Sequence, residues 1–414
     1  MSDPATNENL REGRGVRGDF GKDQGVGMKK GWQTKTLGEV CTFDKAQGVY
    51  RGLPYVGLEH IESHTARFIG SSEPQHVKSS TFRFSDEHVL YGRLRPYLNK
   101  ALAPDFEGHC STEIFPLKPS HELSREYLLF WLLADETCDR INATCTGARM
   151  PRAQMNEVMD FAIPVPPLAE QQRIVGLLDE AFEGLATAKS NAEKNLQNAR
   201  ALFESHLQSV FTQRGPAWVD STIGAEIKFI DYRGKTPVKT ASGVRLITAK
   251  NVKMGFLQET PMEFIAAASY KGWMTRGIPK MGDVLFTTEA PLANVAQLDT
   301  DEKVAFAQRI IIMQPNAAKL DSTFLKYLLL SQPVQQRIRT KGTGATVQGI
   351  KASLLKLIEI SFPKSLDTQE QIVSKLDDLR KETQHLALLY EQKLVALEAL
   401  KKSLLHQAFT GELL

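Results

Sequence analysis

Cysteine and long apolar runs are scarce in this chain of 414 residues, and each absence argues against a class of protein. The cysteines, Cys41, Cys110, Cys138 and Cys145, show no paired spacing. A disulfide framework or a zinc knuckle is therefore not expected, and a reducing cytoplasm is the expected location. No run of 18 apolar residues indicates a membrane span, and no segment has the layout of a secretory signal. The length predicts two or three domains.

Motifs for catalysis or cofactor binding are also missing. Gly234-Lys235-Thr236 resembles the end of a phosphate-binding loop, but Phe229 replaces the required first glycine and Pro237 would block the following helix. His60 and His64 lack the adjacent glutamate that a zinc hydrolase needs. The Asn/Asp-Pro-Pro-aromatic motif of an adenine methyltransferase is absent as well. We therefore expect no catalytic residue, no cofactor site and no metal site in this chain.

Positive charge is concentrated in one part of the sequence. Residues 213–365 hold 21 basic and 12 acidic residues, an excess of nine, although the net charge of the whole chain is +3. Every other segment of the chain is close to neutral or slightly acidic. A basic segment inside a nearly neutral chain indicates an anionic partner, and nucleic acid is the leading candidate.

The sequence contains an internal repeat, whose two copies are offset by a slowly growing distance. Trp32 to Gly38 matches Trp218 to Gly224 at an offset of 186, and Thr146-Gly147-Ala148 matches Thr343-Gly344-Ala345 at an offset of 197. Small insertions in surface loops produce this kind of drift. Two homologous halves are therefore predicted.

One segment of the repeat keeps its register without a gap. Residues 171–212 match residues 369–410 at an offset of 198, with 13 of 42 positions identical. The second copy has a heptad-like apolar pattern, and each copy predicts a helix of roughly 40 residues, about 60 Å long. The two helices either pair with each other or pack separately on their own domains, and their equal lengths favour pairing.

These observations predict a mixed α/β (α+β) fold with two homologous globular domains and two long helices. Short strands are expected at 244–248, 284–288 and 308–313, and short helices at 123–133 and 322–331. The predicted divisions are a disordered tail at 1–27, a first domain at 28–165, a central helix at 166–212, a second domain at 213–364 and a final helix at 365–414.

The ends of the two predicted helices carry a family resemblance. Val165-Pro-Pro-Leu-Ala-Glu-Gln171 closely resembles the start of the conserved helix in specificity subunits of type I restriction-modification enzymes, and Lys402 to Leu413 resembles the end of their second helix. Tyr91 to Tyr97 and Gly282 to Pro291 are similar to segments of their target-recognition domains. The resemblance runs from about Met28 to Leu414. One departure is Leu366-Asp-Thr-Gln-Glu-Gln371, which is shifted relative to the usual Pro-Leu-x-Glu-Gln.

The resemblance implies a non-catalytic subunit that reads double-stranded DNA. Two target-recognition domains, related by a pseudo-twofold and separated by two antiparallel coiled-coil helices, would each read one half of a bipartite asymmetric site. The helices would set the spacer and dock two modification (methyltransferase) subunits, and restriction (translocase/nuclease) subunits would join the complex. S-adenosylmethionine, ATP and Mg are implied for those partner subunits, not for this chain.

Candidate DNA-contacting residues follow from side-chain chemistry. Arginine pairs best with guanine and asparagine or glutamine with adenine, whereas lysine mostly contacts phosphate. In the first domain the candidates are Arg93, Arg95, Tyr97, Asn99 and Arg149. In the second domain they are Lys250, Asn251, Thr288, Asn294, Arg309, Lys341 and Gln348. Each could instead be a solvated or internally bonded side chain, and Tyr97 could belong to the core. The Thr-Gly-Ala loops that recur in both halves are also candidates for architectural turns.

Competing interpretations belong to different classes of protein. A coiled-coil DNA-binding scaffold explains the long helices but not the basic second domain or the two β-rich domains. A nuclease or methyltransferase acting alone requires a motif that is absent. A specificity subunit of a fused methylase-nuclease system remains an open alternative.

Overall fold

The computed structural model describes residues 29–215, 217–232, 234, 236–307, 309–344 and 348–413. The predicted disordered tail at 1–27 lies outside the described residues. The chain folds as two compact units, one comprising the chain through Ala188 together with Ala396–Leu414 and the other Lys189–Val395. Each unit contains one globular domain and a part of each long helix, so the helices do not form a separate domain.

The first globular domain has the α+β composition that the sequence predicts. Its strands are β1 (Gln33–Thr36), β2 (Cys41–Phe43), β3 (Gln47–Gly48), β4 (Tyr55–Val56), β5 (Thr81–Phe84), β6 (Val89–Gly92), β7 (Ala101–Leu102), β8 (Gly108–Cys110), β9 (Ile114–Pro119) and β10 (Ala162–Val165). Its helices are α1 (Leu37–Val40), α2 (Arg125–Leu133), α3 (Asp135–Ala143) and α4 (Met155–Met159). The long helix α5 (Leu168–Thr212) follows.

The second globular domain repeats this order of elements and adds one short helix between its fifth and sixth strands. Its strands are β11 (Trp218–Thr222), β12 (Ile227–Asp231), β13 (Lys239–Thr240), β14 (Val244–Ile247), β15 (Glu263–Ile265), β16 (Val284–Thr288), β17 (Leu292–Gln297), β18 (Val304–Phe306), β19 (Ile310–Pro315) and β20 (Glu359–Pro363). Its helices are α6 (Ile223–Glu226), α7 (Tyr270–Trp273), α8 (Ser322–Leu330), α9 (Gln332–Lys341) and α10 (Ala352–Lys356), and the long helix α11 (Leu366–Thr410) ends the chain.

The sheets confirm the internal repeat and also show where the two copies differ. Both domains contain a two-stranded pair, β1-β10 or β11-β20, and a four-stranded sheet of order β2-β9-β6-β7 or β12-β19-β16-β17. The remaining sheet has the order β3-β5-β8-β4 in the first domain but β13-β15-β14-β18 in the second. Besides β3, β5 therefore pairs antiparallel with β8, whereas β15 pairs antiparallel with β14 besides β13.

Each domain buries one large core beside the long helices and a smaller core between its sheets. In the first unit, Tyr127 and Leu128 of α2 pack in one cluster with Ile174 and Leu178 of α5 and with Leu405 of α11. The larger cluster of the second unit combines α8 in the same way with Leu207 and Phe211 of α5 and Leu376 of α11. Burial of this apolar surface fixes each globular domain on the long helices.

The two long helices run antiparallel within each unit. In the first unit, a guanidinium nitrogen of Arg173, near the start of α5, donates to the carbonyl of Leu413 at 3.3 Å. In the second unit, Arg200 of α5 donates to Glu391 of α11 at 2.6 Å. The helices therefore contact each other and also pack on the globular domains, so each of the two arrangements considered from the sequence describes part of the packing.

A buried glutamine fixes the start of each long helix. The side chain of Gln171 accepts a hydrogen bond from the Ser124 amide at 2.7 Å and donates to the carbonyls of Glu122 and Pro166, both at 2.8 Å. Gln369 makes the equivalent bonds, accepting from the Asp321 amide at 2.8 Å and donating to the carbonyls of Lys319 at 2.8 Å and Pro363 at 2.7 Å. The segment Leu366 to Gln369 is thus aligned with Leu168 to Gln171, and the apparent shift in the sequence motif is not a structural shift.

Candidate nucleic-acid interface

Three chain segments that are distant in sequence meet at one edge of the first globular domain. They are residues 93–99 after β6, residues 111–113 before β9, and residues 144–153 between α3 and α4; we call them together the first loop cluster. The Arg93 amide donates to the Glu113 carbonyl at 2.9 Å, and the Ala153 amide donates to the Arg93 carbonyl at 2.9 Å. The Arg95 amide donates to the Pro151 carbonyl at 2.8 Å. These main-chain bonds hold the three segments together.

The same arrangement recurs in the second globular domain. The second loop cluster comprises residues 288–294, Arg309, and residues 341–344 with 348–350. The Thr288 amide donates to the Arg309 carbonyl at 2.9 Å, and the Ile350 amide donates to the Thr288 carbonyl at 2.9 Å. Gly147 and Gly344 both have positive φ, 95° and 117°, in the corresponding turns. Glycine adopts this conformation without a steric penalty, which supports an architectural role for the repeated Thr-Gly sequence.

Side chains behind the loop clusters anchor them to the helical layer. In the first domain, Asn99 donates from its side-chain amide to the Leu133 carbonyl at 3.0 Å, and the Cys138 thiol lies 3.3 Å from the Pro96 carbonyl. In the second domain, Gln335 donates to the carbonyls of Ala293 at 2.9 Å and Leu329 at 2.7 Å. The corresponding loops of the two domains are therefore anchored by different residues. Each loop is already fixed in position before a ligand binds.

A carboxylate joins two arginines in the first loop cluster. Glu113 accepts from Arg93 Nε at 3.2 Å and from Arg152 Nη2 at 2.8 Å. The Arg93 guanidinium also lies 5.3 Å from the centre of the Phe115 ring, a cation–π contact. Burial by itself would raise the pKa of Glu113, but the hydrogen bonds and charges of Arg152 and Arg93 outweigh it and lower that pKa from 4.5. The carboxylate is therefore ionised at neutral pH.

The second loop cluster places its charges differently. Strand β19 follows Arg309 as β9 follows Glu113, so Arg309 occupies the position of the carboxylate. Arg309 Nε lies 3.1 Å from Glu289 Oε1, and the backbone of Arg309 has a φ of 78°. Gly349 bridges Glu289 and Thr343 just as Arg152 bridges Leu94 and Thr146. One backbone arrangement therefore presents two different sets of side chains.

Most of the candidates in the first domain are at the surface of the first loop cluster. Arg95, Tyr97 and Arg149 are exposed, and Arg93 is partly exposed. Tyr97 is 49% exposed and therefore does not belong to the core. Asn99 is fully buried and bonded to Leu133, so our expectation that it contacts a base directly is corrected to an anchoring role.

In the second domain the candidates divide between surface and interior. Arg309, Lys341 and Gln348 are exposed in the second loop cluster, and Lys250 is exposed on a nearby loop. Asn294 is partly exposed, and its side-chain amide donates to the Val252 carbonyl at 2.8 Å, which ties that loop to the cluster.

Asn251 and Thr288 do not agree with the expectation of direct DNA contact. Asn251 is 1% exposed, and its side chain accepts from the Thr248 amide at 3.0 Å and donates to the carbonyls of Gln258 and Pro261 at 3.0 Å. Thr288 is 3% exposed, and its hydroxyl donates to the Arg309 carbonyl at 3.4 Å. Both are corrected to structural positions, because a base edge cannot reach a side chain that is buried and already bonded.

Three charged residues of the loop clusters, Glu113, Arg152 and Glu289, were not among the candidates. Basic and amide side chains are the usual base readers, so the two carboxylates carry no such signal in the sequence. Arg152 lies only three residues after Arg149, and this local pair of arginines was the available signal for it.

The described residues contain neither a metal-binding cluster nor a membrane-spanning helix. No three histidine, cysteine, aspartate or glutamate side chains come together in a geometry suited to a metal ion within these residues. Among the helices so described, none combines the length and apolar character needed to cross a membrane.

Comparison with known families identifies the class of protein. A family model described as the type I restriction modification DNA specificity domain matches residues 29–196 and 235–392. The chain therefore belongs to this family. The first matched region contains the first globular domain, and the second contains the second globular domain from residue 235 onward. The resemblance found in the sequence and the predicted two-domain fold are confirmed.

Individual relatives agree with this assignment. The EcoDI specificity subunit of Escherichia coli is 26% identical over 166 residues, which are 40% of this chain and 36% of that protein. The MjaVIII specificity subunit of Methanocaldococcus jannaschii is 22% identical over 332 residues, covering 74% of this chain and 75% of that protein. This chain thus aligns with about a third of the first relative and three quarters of the second.

Solved structures share the fold. A chain from a structural study of assembly and conformational transition in a type I restriction-modification system has a TM-score of 0.75 and 21% identity, covering 93% of this chain and 99% of that one. The HsdS subunit from Thermoanaerobacter tengcongensis has a TM-score of 0.65 and 20% identity, covering 93% and 98%.

Proposed function

We propose that this chain reads a bipartite, asymmetric site in double-stranded DNA, with one loop cluster for each half of the site. The observation that carries this proposal is the repeat of one backbone arrangement with different exposed side chains. A shared scaffold presents Arg93, Arg95 and Arg149 in one domain and Arg309, Lys341 and Gln348 in the other. Since base identity is read by side chains in the grooves, two such sets select two different sequences.

The charge distribution supports DNA as the ligand. Residues 213–365 carry an excess of nine positive charges, and cationic side chains that neutralise phosphates supply most of the sequence-independent affinity of DNA-binding proteins. The first domain has no such excess. We therefore propose that the second domain contributes more phosphate contacts, while the first depends on a few well-placed arginines.

The long helices are proposed to dock the partner subunits. Leu388 and Val395 of α11 and Leu202 of α5 are 51%, 72% and 50% exposed. Large apolar side chains grouped on a helix surface are characteristic of protein interfaces. We propose two methyltransferase subunits as the partners there, with restriction subunits joining them in the cytoplasm. S-adenosylmethionine, ATP and Mg would bind those partners, and this chain would be non-catalytic in an adenine-methylating, ATP-dependent restriction complex.

A selection experiment tests the proposal. The chain, purified in complex with its methyltransferase subunits, is mixed with a pool of duplexes of random sequence, and bound molecules are recovered and sequenced. The proposal expects two defined blocks separated by a gap of constant length and undefined sequence. Enrichment of a single continuous block, or of no sequence, would contradict it. A specificity subunit of a fused methylase-nuclease system gives the same DNA site but co-purifies with one large fused partner, which separates that alternative.

A further inference from the structure

We propose that Glu113 and Glu289 are positioning residues for base recognition: each holds one or two arginines of its own loop cluster in the geometry that reads one half-site. This inference rests on the proposed function and deepens it, because it names the side chains that set the specificity of each domain. Glu113 acts on Arg93 and Arg152, and Glu289 acts on Arg309.

The geometry around Glu113 fixes one arginine closely. Arg152 Nε donates to Glu113 Oε2 at 3.1 Å and Nη2 donates to Oε1 at 2.8 Å, and Nη1 of the same guanidinium donates to the Met150 carbonyl at 3.3 Å. A guanidinium held by two parallel bonds to a carboxylate cannot rotate freely, because both bonds fix its plane. The backbone of Arg152 also bridges Leu94 and Thr146, so the side chain starts from a fixed point where the three segments meet.

The second arginine is fixed on one side only. Arg93 uses Nε for Glu113 at 3.2 Å, and its guanidinium lies over Phe115. Its side chain is 34% exposed, which leaves an edge of the guanidinium in solvent. An arginine that is oriented by a carboxylate and an aromatic ring while one edge remains open has the arrangement needed for a bidentate contact with guanine.

A carboxylate in a DNA-binding loop cluster is unfavourable unless it has another role. A negative charge close to DNA repels the phosphates, and the side chain of Glu113 is only 25% exposed among groups that would face DNA. Glu289 is 47% exposed beside Arg309, which is 45% exposed. Fixing the position of an arginine offsets that repulsion, because a long flexible side chain otherwise loses conformational entropy when it binds.

Glu113 and Glu289 are expected to affect the two half-sites independently. Glu113 lies next to β9 in the first domain, and Glu289 lies next to β16 in the second domain. Each carboxylate contacts arginines of its own domain, in bonds between described residues. A change at one of them is therefore expected to alter the reading of one half-site and leave the other half-site unchanged.

The test uses the complex of the full chain with its methyltransferase subunits. The probes are a duplex with the gapped site that the wild-type complex selects, two duplexes in which one half-site or the other is scrambled, and a duplex in which both half-sites are scrambled. Glu113→Gln keeps the size of the side chain and removes its charge, and Glu289→Gln does the same in the second domain. Glu107→Gln is the matched control, because Glu107 pairs at 3.5 Å with Arg83 outside the loop cluster.

The expected result is reciprocal. In Glu113→Gln, the ratio of the affinity for the intact duplex to the affinity for a duplex with one half-site scrambled falls about tenfold or more. This is the size of one good base contact. The same ratio for the duplex with the other half-site scrambled does not change. In Glu289→Gln, the ratio that was unchanged in Glu113→Gln falls and the other ratio does not change. Glu107→Gln changes neither ratio. Binding to a duplex with both half-sites scrambled does not weaken in any of the three variants, because removal of a negative charge does not reduce attraction to phosphates.

Two results would overturn the inference. In the first, the wild-type complex reads a gapped site while both ratios are unchanged in Glu113→Gln and Glu289→Gln; the proposed function then stands and the positioning role is wrong. In the second, both affinity ratios fall together in Glu113→Gln, and the melting temperature falls with them. If the conservative variant Glu113→Asp shows the same losses, the carboxylate has a structural role only. A wild-type complex that selects no gapped site would remove the proposed function itself, and the inference with it.

Discussion

The buried glutamines at the starts of the long helices allow a quantitative prediction. In Gln171→Ala, a side chain with no solvent exposure is removed, and three hydrogen bonds of 2.7 to 2.8 Å to main-chain groups are lost. Each such bond contributes about 1 kcal/mol net, and a main-chain group left unbonded in a buried position costs more. We therefore expect the free energy of unfolding of the first unit to fall by about 3 kcal/mol.

The assay is calorimetric or spectroscopic melting of the purified chain. For a domain of this size, about 1 kcal/mol corresponds to roughly 2–4 °C, so the transition of the affected unit is expected to fall by about 6–12 °C. Gln369→Ala is expected to produce a loss of the same size in the second unit, because its three bonds join the equivalent main-chain groups at similar lengths.

The control is the neighbouring exposed glutamine. Gln172→Ala changes the same residue type in the same helix turn without touching a buried bond, and surface changes of this kind usually cost less than about 0.5 kcal/mol. A melting temperature for Gln171→Ala that equals the value for Gln172→Ala would refute the reasoning, since the helix start would then be held by apolar packing alone.

Three further predictions concern DNA recognition. Arg309→Ala is expected to weaken binding to one half-site about tenfold or more in a titration of duplexes; an equal loss on unrelated DNA would mark Arg309 as a phosphate contact. Insertion of four residues after Lys189 is expected to change the tolerated spacer while both half-sites remain readable in the duplex selection; an unchanged spacer would contradict a spacing role for the helix. Asn99→Ala is expected to lower the melting temperature through loss of its bond to Leu133, and a variant with wild-type stability and reduced affinity would restore Asn99 as a direct contact.

The sequence predicted the repeat and the long helices well because both leave periodic or repeated signals. The unbroken offset of 198 between Gln171 and Gln369 reflects a structural constraint that insertions would break: both helix starts are fixed by the same three hydrogen bonds. The different strand order of the third sheet left no such signal, because strands of two to four residues carry too few side chains to encode a partner.

The candidate site was only partly predictable. Exposed arginines such as Arg95 and Arg149 follow from residue type and loop position. The burial of Asn99 and Asn251 does not, because an asparagine in a loop bonds equally well to main-chain carbonyls or to a base, and only the tertiary fold decides between them. The link between Glu113 and Arg152 joins residues 39 positions apart, so it emerges only when the three loops have met.

Under the proposed function, this chain determines which DNA sequence is methylated. The most direct measurement is a genome-wide map of N6-methyladenine in the source cells, with and without the gene for this chain. We predict that one gapped, asymmetric motif loses its methylation when the gene is deleted and regains it when the gene is restored. A map in which a gapped motif is methylated equally in both strains, or in which a continuous motif disappears instead, would contradict the account.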